Sequence, residues 1–139
     1  MAIDYGTKRC GIAVTDSLQT CAFGLDTIAS HQILDFIQDY MAKEKVEKLV
    51  VGEPKQRDNT ASSVEVAIIE FINKLKQQFP TLPIVRQDER FTSKLAQQTL
   101  IQAGAPKKIR KKKEVIDKIS ATLILQGYLE QHKCIWFYQ

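Results

Sequence analysis

Within the first thirty residues, three short apolar segments follow one another with turn residues and no helical period between them. No other feature constrains the fold as strongly, because segments of this kind read as an antiparallel meander. The first, residues 1–4, ends at Tyr5-Gly6-Thr7-Lys8. The second, Cys10-Gly11-Ile12-Ala13-Val14-Thr15, breaks at Asp16-Ser17, and the third lies within residues 21–29. After Ser30, a predicted N-cap, the period changes. Ile33, Leu34, Ile37, Tyr40 and Met41 fall on one face of a helix.

From there helices and strands alternate. Residues 48–52 form an apolar run too short for a helix and suited to a buried parallel strand. Ser62-x-x-Glu65 is a capping-box pattern opening a helix with Val64, Ile68, Phe71, Ile72 and Leu75 inward, closed by Pro80 and Pro83. Ile84-Val85 begins a strand ending in Gln87-Asp88-Glu89-Arg90. A helix over residues 92–103 stops at Gly104 and Pro106. A basic loop follows. The last helix carries Val115, Ile116, Ile119, Leu123, Leu125 and Leu129 to about residue 131. The apolar tail Ile135-Trp136-Phe137-Tyr138 packs on the core or, alternatively, meets a second copy. The order βββ-α-β-α-β-α-α predicts an α/β fold, with a mixed five-stranded sheet and helices on both faces. The sheet combines a three-stranded antiparallel meander with parallel strands, all in one domain over residues 1–139.

A chain of 139 residues buries roughly 68–70% of its unfolded surface, enough to hold a core without disulfides or a structural metal. No apolar run suits a membrane span, and no signal segment is visible, so a cytoplasmic location is expected. Cys10, Cys21 and Cys134 are far apart and read as reduced thiols, a Cys10–Cys21 pair on neighbouring strands being the alternative. His31 and His132, at predicted helix ends, read as surface residues. The net charge of +4 is local in origin. Residues 104–118 hold Lys107, Lys108, Arg110, Lys111, Lys112, Lys113 and Lys118 against Glu114 and Asp117, a charge of +5 that leaves the other residues near −1. Such a concentration points to a polyanion contact at one place.

The acids suggest chemistry. Asp4 interrupts an apolar strand, where a carboxylate is costly unless it has a partner. Asp88 and Glu89 end a strand of the same sheet, and only one of them can face Asp4, since successive strand residues point to opposite faces. Asp117 falls in the first turn of the last helix. Converging carboxylates would repel one another without a cation, and hard oxygen donors suit Mg²⁺ or Mn²⁺. Taken singly, Asp88 or Glu89 reads as a solvated strand end and Asp117 as a helix N-terminal acid, so spacing alone leaves both readings open.

Residues 2–16, from Ala2-Ile3-Asp4-Tyr5-Gly6-Thr7-Lys8-Arg9 to Asp16, resemble the opening signature of the YqgF/RuvX family. These are pre-16S ribosomal RNA nucleases, also described as Holliday-junction-resolvase-like proteins. Three further blocks match in order: Val50-Val51-Gly52-Glu53-Pro54, Asp88-Glu89-Arg90-Phe91-Thr92-Ser93, and Val115-Ile116-Asp117-Lys118-Ile119-Ser120-Ala121 with Ile124-Leu125-Gln126-Gly127-Tyr128-Leu129. The resemblance implies a ribonuclease H-like fold and a two-metal nuclease whose catalytic residues are Asp4, Asp88, Glu89 and Asp117. The metal ligands would be Asp4, Glu89 and Asp117, with Mg²⁺ or Mn²⁺ as cofactor. Glu53 stands where the family commonly has Leu and related junction resolvases place an acid. It is either an extra ligand or a solvent-facing acid before Pro54. The expected nucleic-acid contacts are Lys8, Arg9 and Arg90 beside the acids, and Lys107, Lys108, Arg110, Lys111, Lys112 and Lys113 in the basic run. Two departures are plain: only Met1-Ala2-Ile3 precede Asp4, where the family usually has more apolar residues, and the apolar tail outruns the typical family end.

The implied function is processing of the 5′ end of pre-16S ribosomal RNA by a monomer or homodimer. The alternatives are resolution of branched DNA, which calls for a dimer, and a non-catalytic role as a nucleic-acid-binding ribosome-assembly factor. Asp4-Tyr5-Gly6-Thr7 also resembles the first phosphate loop of sugar kinases and actin-like ATPases, but those need two such domains and this length holds one.

Overall fold

In the computed structural model, which describes residues 1–54, 64–88, 98–99, 101–110 and 112–137, β1 (Ala2–Tyr5) is the central strand. It pairs antiparallel with β2 (Arg9–Thr15) on one side and parallel with β4 (Leu49–Glu53) on the other. β3 (Ala22–Ala29) adds antiparallel to β2, and β5 (Ile84–Asp88) adds parallel to β4. The five-stranded order β3-β2-β1-β4-β5 is the mixed sheet expected from the meander and the alternation that follows it, and it is ribonuclease H-like.

Side-chain alternation gives the sheet two apolar faces. Ile3, Cys10, Ile12, Leu49 and Val51 face α1 (Ile33–Lys43) and α2 (Glu65–Gln78), and are buried against Ile33, Ile37, Ile68, Phe71 and Leu75. Ala2, Ala13 and Val50 face α4 (Lys113–Phe137) and are buried against Ala121, Ile124 and Leu125. Residues on the α4 side are small. The long helix therefore sits close to the strands, and a close-packed helix fixes its own residues accurately against the sheet.

Several local expectations are corrected. Ser30 does not cap α1: residues Ser30–Gln32 form a 3-10 turn, and the helix N-cap is Gln32, with no side-chain cap. The Ser30 hydroxyl instead donates to the Gly6 carbonyl at 2.5 Å, and its N–H donates to the Lys8 carbonyl at 3.0 Å. With its proton given to Gly6 and its N–H to Lys8, the serine is anchored to the β1–β2 turn rather than to the helix end. Glu65 likewise leaves the predicted capping box and makes a two-pronged ion pair with Arg86, at 2.7 and 3.2 Å; Ser62 lies outside the described residues. Cys10 is opposite Ile28 in the β2–β3 register, and Cys21 is exposed before β3 begins, so both thiols are free.

The basic run is not wholly a loop. Lys107–Arg110 form one helical turn, α3, because Lys and Arg are good helix formers and an exposed turn keeps their charges in water. α4 continues to Phe137 rather than stopping near residue 131, so residues 135–137 of the apolar tail belong to the helix; Tyr138 lies outside the described residues. His31 is exposed, as expected. No helix among the described residues is long and apolar enough to cross a membrane.

Candidate active site

β1, β4 and β5 run parallel, so their carboxyl ends lie along one edge of the sheet. Ligands of open α/β sheets bind at such edges. Asp4 stands there, one residue from the end of β1 and opposite Gly11 of β2. It shares its face with Ala2, the face covered by α4, whereas Ile3 and Tyr5 point to the α2 side, where Tyr5 stacks on Phe71.

Gly11 brings Asp117 to this place. A Cβ there would lie 1.9 Å from the Asp117 carbonyl oxygen and 2.4 Å from its carbon. Only the missing side chain lets the second turn of α4 rest on the strand; Asp117 falls in that turn rather than in the first, which holds Glu114. Asp4, opposite Gly11 in the sheet, and Asp117, packed over Gly11, are thus on one face of the sheet. Both carboxylates also act on the neighbouring Cys10: burial pushes its thiol pKa up, and the two acids push it further, against hydrogen bonds with Ser30 and Gly6.

Burial raises the Asp117 carboxyl pKa above its ordinary 3.8, with Glu114 adding to the shift. Arg9 opposes it. The Arg9 Nε donates to Asp117 Oδ2 at 2.6 Å, and Lys113 acts in the same direction from one turn earlier. One turn beyond Asp117, the buried Ser120 hydroxyl has no hydrogen-bond partner among the described residues. A buried hydroxyl without a partner is costly and marks a place for a water or an ion.

The remaining acids fall elsewhere. Asp88 and Glu53 are paired in register at the ends of β5 and β4. Alternation puts Asp88 on the face of Arg86, which reaches Glu65 of α2, and Glu53 on the face of Val51. Both therefore start from the side of the sheet opposite Asp117. Glu89, Arg90 and Lys111 lie outside the described residues. Among the described residues, no three His, Cys, Asp or Glu side chains come together as a metal cluster. Lys107, Lys108, Lys112 and Lys113 are exposed ahead of Asp117, and Lys8 is exposed in the β1–β2 turn. Arg110 belongs to α3, its side chain being outside the described residues.

Sequence reasoning missed Gly11 and Ser120. A glycine inside an apolar strand is a signal of close approach. Nothing in the sequence marks Ser120.

Comparison with known proteins identifies the family. A protein 51% identical over 135 residues, covering 97% of each chain, is named "Putative pre-16S rRNA nuclease" in Phocaeicola vulgatus. Relatives with the same name are 52% identical over 96% of each chain in Bacteroides thetaiotaomicron, and 53% identical over 93% of this chain and 94% of theirs in Flavobacterium psychrophilum. A family model described as RuvX, Holliday junction resolvase, matches residues 1–131. The chain belongs to the RuvX family.

Proposed function

We propose that the chain is a metal-dependent endonuclease that processes the 5′ end of pre-16S ribosomal RNA. The observation that carries this reading is the seating of Asp117 beside Asp4 through Gly11. Two carboxylates on one face, at the carboxyl edge of the parallel strands, offer hard oxygen donors of the kind Mg²⁺ or Mn²⁺ takes. The unpartnered Ser120 hydroxyl and the burial of Asp117 fit a cation or its waters in the same layer.

Asp4 and Asp117 would hold the cation, with Asp88 or Glu89 as the further acid that the resemblance implies. When bound, such a cation polarises a phosphoryl oxygen and lowers the pKa of a bound water. Without a cation, Arg9 is the partner of the Asp117 carboxylate. Lys107, Lys108, Lys112 and Lys113 hold the phosphates of a strand whose path leads to Asp117. Cations at the amino end of a long helix oppose its dipole, so their place there calls for an anionic partner. Contacts of this kind position a strand without reading its sequence.

Cleavage of a ribosomal RNA precursor and of a four-way DNA junction, with and without Mn²⁺, tests the reading. RNA is cut and the junction is not, and the activity vanishes in Asp4→Asn. Junction cleavage by a dimer, with the RNA left intact, would instead favour the family model's description.

A further inference from the structure

Arg9 begins β2 with its backbone tightly held. A Cβ at Gly6 would lie 2.6 Å from the Arg9 carbonyl oxygen, and the next hydrogen bond along the hairpin ties the Lys8 carbonyl to the Ser30 N–H. Its side chain is not so constrained. It meets Asp117 through one nitrogen, Nε, and one oxygen, Oδ2, and among the described residues its two terminal nitrogens make no hydrogen bond. The two side chains keep 30% and 25% of their exposure. A single-pronged, partly solvated pair is the weak form of the arginine–carboxylate contact, and phosphate matches the guanidinium fork better. Lys113, one turn before Asp117 on α4, acts electrostatically on the same carboxylate as Arg9.

We propose that Arg9 is a positioning residue that exchanges partners. Without a bound strand it occupies the Asp117 carboxylate. With one, it turns to a phosphate and releases that carboxylate to the divalent cation. The exchange needs only a side-chain swing, since the backbone at Arg9 stays in the hairpin. Strand and cation then bind cooperatively, and the linkage is reciprocal. The inference rests on the metal reading given above.

Titration of Mn²⁺ into the full chain, with and without a short single-stranded oligoribonucleotide, measures the coupling directly. In the parent, the oligonucleotide tightens Mn²⁺ binding, and Mn²⁺ tightens oligonucleotide binding by the same factor. Arg9→Gln binds Mn²⁺ more tightly without the oligonucleotide, by about fivefold, or about 1 kcal/mol at 1.4 kcal/mol per tenfold. Its coupling factor falls by the same amount. Arg9→Lys, closest to the parent in charge, keeps a cation but not the planar fork and gives an intermediate factor. A coupling factor unchanged in both variants overturns the exchange while leaving the metal site intact. Mn²⁺ binding unaffected by Asp117→Asn overturns the metal reading, and the exchange with it.

Discussion

Substituting Gly11 with alanine tests how α4 is seated. The added Cβ would lie 1.9 Å from the Asp117 carbonyl oxygen, 2.4 Å from its carbon and 3.1 Å from the Lys118 nitrogen. All three are backbone atoms of a helix packed along the sheet, so no side-chain rotation relieves the clash. Bringing the closest contact to a tolerable 3.0 Å moves the second turn of α4 outward by about 1 Å. Overpacking a core typically costs ~1–3 kcal/mol, and a backbone collision belongs at the upper end, so Gly11→Ala loses about 3 kcal/mol. Urea unfolding followed by circular dichroism reads this as a lower midpoint with an unchanged slope. The same displacement carries Asp117 away from Asp4, and misplacement by about 1 Å lowers cleavage by about 100-fold. A variant with the parent's midpoint and activity would refute the placement of Asp117 on the strand.

Gly127→Ala goes the other way: its Cβ meets only the Gln87 Nε2 at 3.5 Å, so removing a mid-helix glycine raises stability by about 1 kcal/mol in the same unfolding assay. Ser120→Ala removes a buried hydroxyl without a partner and stabilises the metal-free protein by about 1 kcal/mol; a destabilised variant would mean that the hydroxyl is already satisfied. Asp117, whose folded pKa is raised, contributes stability fully present below its ordinary 3.8 and lost as pH rises through the raised value. Metal-free Asp117→Asn therefore gains on the parent as pH rises, and a gap that closes instead would mean that the Arg9 attraction outweighs burial. If about three cations of the basic run neutralise phosphates, single-strand affinity falls with salt at a log–log slope of about −2. Replacing Lys108, Lys112 and Lys113 together with Ser should flatten that slope for every sequence alike.

The fold was legible where one periodicity held over a whole element. Ile33, Leu34 and Ile37 marked α1, and residues 48–52 marked β4 because an apolar run that short has few alternatives. Ends were less legible, since they depend on competing partners. Ser30 has the chemistry of a cap, yet the Gly6 carbonyl claims its hydroxyl, and Glu65 is claimed by Arg86. Asp4 was legible as a carboxylate out of place in an apolar strand, and the motif named Asp117. Their shared face was not legible, because it depends on a contact between residues 106 positions apart that Gly11 makes possible. The Arg9–Asp117 pair, separated by 108 positions, had no local signal at all. Glu53, paired in register with Asp88 at the end of β4, starts by strand alternation from the face opposite Asp117.

The central claim is that Asp4 and Asp117 act as one metal-dependent unit. Single-turnover cleavage of a ribosomal RNA precursor in Mn²⁺ tests it most directly, comparing the parent, Asp4→Asn, Asp117→Asn and the double variant, each checked for an unchanged circular dichroism spectrum. Residues that act as a unit are strongly non-additive, so each single variant loses essentially all cleavage and the double variant loses no more. Parental cleavage in either single variant, or losses that multiply in the double, would contradict it.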